Sequence, residues 1–269
     1  MMNRLLATAA ILVLATAPAL AETYVTGDIT SSTSWTPAGS PYIIQADVEI
    51  TNNSTLSIQA GVTVAFDGDY IFGTAWGSAI IATGTLGDGV LFTSNAGTPA
   101  PGDWKWLVVN GPNPSSFEYC TLEFAEQGLR VSFASPTVSH CTIRSCSSSG
   151  LFIGESSPTV QYCDIYANRD GIGITGNTSN PVINYNNIHD NTHWNVYVFS
   201  FPEPAATINA ESNWWGTDVE GEIAQEINDS ADNPAIFATI DYTPWWFEQP
   251  VDQATWGQVK ALFARRGAG

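Results

Sequence analysis

Four short stretches in the second half of the chain repeat one another at a nearly constant interval. They are Cys120-Thr121-Leu122, Cys141-Thr142-Ile143, Cys163-Asp164-Ile165 and Asn186-Asn187-Ile188. The steps between them are 21, 22 and 23 residues. A period of this length indicates one structural unit that stacks on copies of itself. No other feature of the sequence restricts the fold as strongly.

Two other positions keep the same interval. Glycine precedes an apolar-x-apolar triplet in three units, and proline recurs in four, at Gly128, Gly150, Gly171, Pro136, Pro158, Pro181 and Pro204. Each unit holds three short runs of alternating apolar and polar residues, and no run long enough for a helix. At about 3.3 Å per strand residue, such a unit forms one turn of a wide coil whose turns pair as parallel strands. The sequence therefore predicts an all-β fold, a parallel β-helix solenoid.

Cysteine and asparagine fill two columns of this repeat, one of Cys120, Cys141, Cys163 and Asn186, the other of Cys146, Asn168 and Asn191. Residues stacked on parallel strands point the same way, and their Cβ atoms stay further apart than the ~3.8 Å typical of a disulfide. We therefore predict four free, buried thiols that act as small hydrophobic side chains. A disulfide remains an alternative, as does a metal site using His140 and Cys141, although no C-x-x-C motif or histidine pair supports it.

The chain divides into four predicted segments. A positive residue, a short apolar run and a small-x-small site indicate a signal peptide over 1–21. Residues 22–40 are a lead-in, 41–247 the β-helix, and 248–269 a linker with a short amphipathic helix. We expect export through the signal peptide to the periplasm, the cell surface or the extracellular space, and no membrane span.

The end of the coil is expected to be covered. A short amphipathic helix is predicted over 219–227, capped by Asp218. The tryptophan pairs that begin at Trp214 and Trp245 are predicted to pack on the last turn. Its edge would otherwise invite pairing with another strand.

The chain is strongly acidic, with 26 Asp and Glu against 8 Lys and Arg and a formal net charge of −18. Nucleic acid and anionic membranes are therefore poor partners. Acidic polysaccharides are also repelled unless a cation bridges them. The composition favours solubility outside the cell, with neutral glycans or a cell-surface protein as partners.

Three stretches carry motifs of a known superfold: PYIIQADVEITNNSTLSIQAGVTVAF (41–66), PTVQYCDIYANRDGIGI (158–174), and SNWWGT with IDYTPWW near the end. They resemble the N-terminal entry, the repeat and the C-terminal closure of exported bacterial right-handed parallel β-helix proteins of the pectate-lyase-like superfold. The resemblance covers roughly 41–246 and agrees with the irregular N-terminal turns and the short C-terminal capping helix that the residues predict. It does not imply one activity, because this fold hosts lyases, hydrolases, epimerases, tailspikes and adhesins.

The catalytic motifs of that superfold are missing. The N-T-D, D-D, G-H-G and R-I-K runs of its pectinolytic hydrolases are absent, and the outward residues beside the glycine column include no carboxylate: Arg130, Phe152, Gly173 and Tyr197. That face is expected neither to bind calcium nor to offer an acid–base pair. We predict no cofactor and no metal site; the Ca²⁺ used by the lyases is kept as an alternative that no motif supports.

An outward column one residue past the Leu or Ile of the repeat supplies the remaining catalytic candidates, Glu123, Arg144 and His189, with Tyr166 between the last two. A carboxylate beside an arginine and a histidine could form an active site. The favoured alternative is a solvated face whose ion pairs contribute under ~1 kcal/mol each. Asp170 is assigned to a turn.

An aromatic column precedes the ladder residues, at Tyr119, His140, Tyr162 and Tyr185. Together with Phe152 and Tyr197, these rings could line the outside of the coil and stack on the apolar faces of sugars. The alternative is that the rings stack across turns and stabilise the coil. Both interpretations stay open at this point.

The leading interpretation is an exported, non-catalytic β-helix protein that presents a rigid face to carbohydrate or to a surface protein. A polysaccharide lyase or glycoside hydrolase with unfamiliar catalytic residues is the first alternative. A purely structural cell-surface module is the second. A tight outward group of carboxylates would favour the enzyme, and an open aromatic groove would favour binding.

Overall fold

The computed structural model describes residues 22–246, and every structural statement below concerns this part of the chain. The predicted signal peptide (1–21) and the predicted linker and helix (248–269) lie outside the described residues. Within 22–246 the chain forms 25 strands, one short α-helix and one 3-10 turn. None of the described helices is long and apolar enough to cross a membrane.

The strands follow one another around the coil. The first ten are β1 (Thr23–Val25), β2 (Thr33–Trp35), β3 (Tyr42–Ile44), β4 (Val48–Ile50), β5 (Thr55–Gln59), β6 (Thr63–Phe66), β7 (Ile71–Thr74), β8 (Ala79–Thr83), β9 (Val90–Ser94) and β10 (Trp104–Asn110). The 3-10 turn, Pro37–Gly39, lies between β2 and β3.

The regular repeat begins with the next strands. They are β11 (Ser116–Glu118), β12 (Cys120–Glu123), β13 (Ala125–Ser132), β14 (Thr137–Ser139), β15 (Thr142–Arg144), β16 (Ser149–Gly154), β17 (Thr159–Gln161), β18 (Asp164–Tyr166), β19 (Asp170–Thr175), β20 (Val182–Asn184), β21 (Asn187–His189) and β22 (Trp194–Ser200). The closing elements are β23 (Ala206–Asn209), α1 (Glu220–Gln225), β24 (Ile227–Asn228) and β25 (Ala238–Asp241).

Three parallel sheets run along the coil. Sheet A is β1-β3-β6-β9-β12-β15-β18-β21, sheet B is β4-β7-β10-β13-β16-β19-β22-β24, and sheet C is β2-β5-β8-β11-β14-β17-β20-β23-β25. The predicted in-register column is present in sheet B, where pairing aligns Leu129, Leu151, Ile172 and Val196. The predicted parallel β-helix is confirmed, with about eight turns.

One continuous core fills the inside of the coil. Alternation along each strand sends every second side chain inward, and the inward residues of sheet A are fully buried: Leu122, Ile143, Ile165 and Ile188. In the earlier turns large rings fill the same space, as where Phe66 and Trp104 stack with their centroids 3.9 Å apart. Burial of these side chains is the main force that closes the coil.

Corners between the sheets repeat one backbone conformation. The corner from sheet C to sheet A has positive φ values of 50–63° at Tyr119, His140, Tyr162 and Tyr185. This left-handed region is uncommon for residues with a side chain, and it bends the chain sharply between two extended segments. Because the bend recurs at equivalent positions, the side chains at a corner form columns along the outside of the coil.

The predicted polar ladders are present at the corners. All four cysteines are free and buried, and the thiol of Cys141 donates to the carbonyl oxygen of Ser139 at 3.2 Å. In the second column the Oδ1 of Asn168 accepts a hydrogen bond from the N–H of Cys146 at 3.0 Å. The asparagine bond joins one turn to the next, as does the contact of the Cys141 thiol with the carbonyl oxygen of Phe117 at 3.5 Å. These bonds satisfy backbone groups at corners, where the strand ladder is interrupted.

The coil begins earlier than the predicted start at residue 41. Strands β1 and β2, in the segment predicted as a lead-in, pair in parallel with β3 and β5. Residues 22–40 therefore form a turn of the coil. As outermost strands they bury only Trp35, so they lack the apolar alternation that marks the inner strands.

The predicted capping helix is confirmed as α1, which buries Ile223 against the last turn. Its N-cap is Val219 with no side-chain cap, so the assignment of Asp218 as the cap is wrong. Instead, the Oγ1 of Thr217 accepts a hydrogen bond from the N–H of Val219 at 3.2 Å. Trp215 and Trp246 are buried at this end, as expected for residues that cover the last turn.

Candidate functional site

Two of the three predicted catalytic residues are in contact on the outer face of sheet A. Arg144 donates to the Oε2 of Glu123 from its Nη2 at 2.7 Å and from its Nε at 3.0 Å. The hydroxyl of Thr93 donates to the other oxygen, Oε1, at 2.9 Å. Burial lowers the pKa of Arg144, but hydrogen bonds to Tyr166 and Glu123 outweigh burial and raise it. Both oxygens of this buried carboxylate already accept hydrogen bonds, which favours a stabilising ion pair over proton transfer.

His189, the third candidate, is separated from that pair by Tyr166, whose ring stacks on the imidazole with centroids 5.6 Å apart. The Nε2 of His189 lies 3.1 Å from Oδ1 of Asp164, and its Nδ1 lies 2.8 Å from Oδ2 of Asp190. Burial lowers the pKa of His189, but these two carboxylates outweigh burial and raise it. An imidazolium held between two carboxylates has no free nitrogen to offer a substrate.

The predicted aromatic column lies at the corner between sheets C and A, and its rings stack on one another. Centroids are 4.6 Å apart for Tyr119 and His140, 5.1 Å for His140 and Tyr162, and 5.6 Å for Tyr162 and Tyr185. Trp246 continues the column, 5.9 Å beyond Tyr185. Inner rings have both faces covered, whereas a sugar needs an open face. The arrangement favours the coil-stabilising alternative.

The other two predicted ligand-binding residues, Phe152 and Tyr197, lie on the outer face of sheet B. Strand pairing aligns them with Arg130 and Gly173 on successive turns. Two clefts open on this face, with volumes of about 330 and 300 Å³. We call the outer face of sheet B with its two clefts the sheet B groove.

Arg130 lines the first cleft and packs on Phe152, which lines the second. Its guanidinium carbon is 4.9 Å from the centroid of Trp106 and 4.7 Å from that of Phe152, and its Nη1 donates to Oε1 of Gln127 at 3.1 Å. Burial lowers the pKa of Arg130. It forms no ion pair within residues 22–246, although the carboxylate of Glu126 attracts it, whereas each other Lys or Arg there is in an ion pair: Lys105, Arg144 and Arg169. A guanidinium packed between two rings keeps N–H donors for a ligand.

The first cleft carries carboxylates, which corrects our expectation that this face has none. Asp28, Asp47 and Glu49 line it together with Trp106. The Oδ1 of Asp28 accepts a hydrogen bond from the N–H of Glu49 at 3.0 Å, and the Oδ1 of Asp47 from that of Ile71 at 2.8 Å. Asp28, Asp47 and Glu49 belong to N-terminal turns, where the repeated glycine is missing. The expectation was drawn from the residues beside that glycine, so it did not cover these three.

The second cleft contains a buried carboxylate that the sequence analysis placed in a turn. Asp170 is the first residue of β19 and is only 2% exposed. Its Oδ2 accepts a hydrogen bond from Nη1 of Arg169 at 2.7 Å, and its Oδ1 lies 2.8 Å from Nδ1 of His193. The Nε2 of His193 has no partner among the described residues, and Phe152 and Tyr197 line the same cleft.

No metal centre is assembled within residues 22–246, where no group of three or more His, Cys, Asp or Glu side chains could hold an ion. His140 and Cys141, the pair considered as an alternative metal site, make other contacts. The imidazole of His140 stacks between Tyr119 and Tyr162, and the thiol of Cys141 donates to backbone carbonyl oxygens. The carboxylates of the first cleft therefore contribute negative charge to the groove.

Two protein-family models match the chain. A model described as a right-handed beta helix region matches residues 105–214, and one described as a pectate-lyase like beta helix domain matches residues 27–126. No curated protein and no solved structure gives a match. The two matched segments together include every residue that lines the two clefts.

Proposed function

The chain belongs to the right-handed parallel β-helix proteins and carries a pectate-lyase-like β-helix domain, and on this premise we propose that it is an exported, non-catalytic protein whose sheet B groove binds carbohydrate. The observation that carries the proposal is the guanidinium of Arg130 between the ring of Trp106, which lines the first cleft, and the ring of Phe152, which lines the second. Aromatic faces suit the apolar faces of sugars, and the guanidinium supplies donors for their oxygens.

The shape of the groove favours an extended ligand. Its strand residues come from consecutive strands of one hydrogen-bonded sheet, from β4 to β22. Neighbouring strands lie about 4.8 Å apart, so six steps cover about 29 Å along the coil. A glycan of several residues can therefore contact both clefts. A surface that is already rigid loses little conformational entropy on binding, which helps a ligand whose individual contacts are weak.

Charge favours a neutral or sparsely charged glycan. The chain has a formal net charge of −18, and the first cleft adds Asp28, Asp47 and Glu49. A densely charged polyanion is therefore repelled, except near Arg130. Hydroxyl-rich chains avoid this repulsion and still offer acceptors to the guanidinium.

The proposal is tested on a glycan array with the wild type and three variants, Trp106→Ala, Phe152→Leu and Arg130→Gln. Loss of one ring contact is worth about 0.5–1.5 kcal/mol, so each aromatic variant should weaken binding by a few-fold to about tenfold. Arg130→Gln should weaken binding and change the preference among glycans. Tyr24→Ala is the control, since Tyr24 is also an exposed aromatic residue but lies on β1 in sheet A.

Two outcomes would reject the groove as a glycan site. One is a wild type that binds no glycan on the array. The other is binding that survives all three groove variants while the urea midpoints stay unchanged, because the ligand would then lie elsewhere. Capture of a surface protein in place of glycan would support the other partner expected from the sequence.

A polysaccharide-active enzyme is the second candidate, and Asp170 with His193 favours it. The buried carboxylate lies 2.8 Å from Nδ1 and can orient the imidazole, so that Nε2 is available as a general base beside the second cleft. Release of reducing ends or unsaturated sugars from a polysaccharide panel would establish turnover. Loss of that release in both His193→Gln and Asp170→Asn would assign it to this pair, and its retention in both would exclude the pair.

A further inference from the structure

The corner between sheets B and C carries an exposed aromatic pair that lies outside the sheet B groove. Trp76, which follows β7, is 60% exposed, and Phe133, which follows β13, is 55% exposed. Their ring centroids are 6.2 Å apart with an interplanar angle of 43°. The predicted column at the other corner has its faces covered, whereas most of the surface of these two rings meets solvent. We call Trp76 and Phe133 the corner pair.

The backbone beneath the corner pair holds both rings in place. Gly111 lies on the turn between them with φ of 76°, and a Cβ there would come within 2.6 Å of Cδ2 of Trp76. The indole therefore rests on the bare backbone of the next turn. The N–H of Gly111 donates to the oxygen of Ser132 at 2.9 Å, and that of Phe133 to Gly154 at 3.1 Å. Each ring thus projects from a hydrogen-bonded corner.

The composition of this corner is unlike that of the rest of the chain. The three segments that form it, 75–78, 110–115 and 132–136, read AWGS, NGPNPS and SFASP. None contains a charged residue, although the chain has 26 Asp and Glu. The corner offers aromatic rings, hydroxyls and amides, and the carboxylate of Glu155, one turn beyond Phe133, accepts hydrogen bonds from Thr178. This combination fits a ligand that is uncharged, rich in hydroxyl groups and apolar on one face.

We propose that the corner pair is a second carbohydrate-binding site, which takes neutral polysaccharide chains by stacking pyranose rings on Trp76 and Phe133. Two open rings a few ångströms apart along a rigid edge can contact neighbouring sugar residues of one chain. Two adjacent, exposed aromatic side chains also indicate an interaction site, because ordinary exposed hydrophobic residues are scattered singly over a surface. Neither ring of the corner pair lines the sheet B groove, which shares only Asn110 with the segments that form the corner.

The test uses native affinity electrophoresis in gels that contain hydroxyethylcellulose, xyloglucan or galactomannan. At least one of these neutral polymers should retard the wild type. Trp76→Ala and Phe133→Ala should each weaken retardation about tenfold in apparent Kd, and the double variant should abolish it at that site. Phe133→Tyr keeps a ring and should retain binding. Retardation should change little with added salt, because the ligand carries no charge.

Variants of the groove separate the two sites. A protein with Trp106→Ala and Phe152→Leu should keep the binding that depends on the corner pair, even if the groove proposal fails. Thermal melts of Trp76→Ala and Phe133→Ala should match the wild type, which excludes misfolding as the cause of lost binding. Absence of retardation on all three polymers, or unchanged retardation in the double corner variant, would overturn the proposal. Capture of a protein by the corner pair with no polymer binding would also overturn it.

Discussion

The side-chain nitrogen of Asn186 donates a hydrogen bond to Oδ1 of Asn213, 3.0 Å away, inside a core where both side chains are fully buried. The same nitrogen also donates to the carbonyl oxygen of Val160 at 2.9 Å, and Oδ1 of Asn186 accepts from the N–H of Cys163 at 2.9 Å. One amide thus joins three successive turns. Removing it leaves several buried polar groups without partners.

Asn186→Leu should therefore destabilise the protein by at least about 3 kcal/mol, because each buried group left unpaired costs about 1–3 kcal/mol. The free energy of unfolding, measured by urea denaturation, checks this value. Asn186→Cys is the matched control, since cysteine fills the same column one turn earlier and its thiol there donates to the carbonyl of Gln161 at 3.3 Å. We expect the cysteine variant to lose less stability. Equal stability of Asn186→Leu and the wild type would contradict the ladder.

All four cysteines should react with an alkylating reagent in denaturant without reductant, because all are free thiols. In the folded protein they should stay unmodified, since all four are buried and the reagent cannot reach them. Burial also raises the pKa of Cys146 to about 12, so that this residue forms little thiolate. Mass spectrometry of the alkylated peptides measures both states. A disulfide-linked peptide would refute the first part, and rapid labelling of the native chain the second.

Arg144→Ala should destabilise the protein by about 1–2 kcal/mol, because it leaves the nearly buried carboxylate of Glu123 without its cation. The double variant Glu123→Gln with Arg144→Ala should recover part of that loss, since the uncompensated charge is gone. Thermal or urea unfolding of the three proteins gives the comparison. If the single variant were as stable as the wild type, the pair would be one of the many surface ion pairs that contribute nothing measurable.

The protonation of His189 should make stability depend on pH. Its pKa is raised in the folded state above the ordinary value of about 6.5, so the stabilisation is fully present below that value and is lost as pH rises through the folded pKa. Unfolding free energies from pH 5.5 to 8.5 should therefore fall more steeply in the wild type than in His189→Gln. Asp190→Asn removes one of the two acceptors and should lower the folded pKa, as measured by NMR titration of the imidazole. Identical pH profiles for wild type and His189→Gln would contradict the assignment.

The sequence predicts the regular turns well because inward positions repeat with one period. Leu129, Leu151 and Ile172 are register partners for the same reason that they align in the sequence: each lies one position after the repeated glycine. The ladders follow from the same alignment. The sequence does not predict the first turn, since β1 and β2 have too few buried residues to show the alternation of apolar and polar residues.

The candidate sites were less predictable, because they depend on which faces of a ring remain open. Tyr162 and Trp76 are both aromatic residues at corners, yet one is covered by stacked neighbours and the other rests on a glycine. The environment of Arg130 depends on Trp106 and Phe152, each on a neighbouring strand of sheet B. Trp106 belongs to a turn that lacks the regular repeat, so no column linked it to Arg130.

Hydrogen bonds in each of the three sheets join every strand only to the strands one turn before and after it. The bonds therefore run along the axis of the coil, and each turn adds its own set in series. Tension applied between the two ends of the coil would load these sets equally, and the weakest turn would separate first while the others stay wound. Mechanical resistance is then set by a single turn, whatever the number of turns, and the protein would yield by unwinding in steps of one turn.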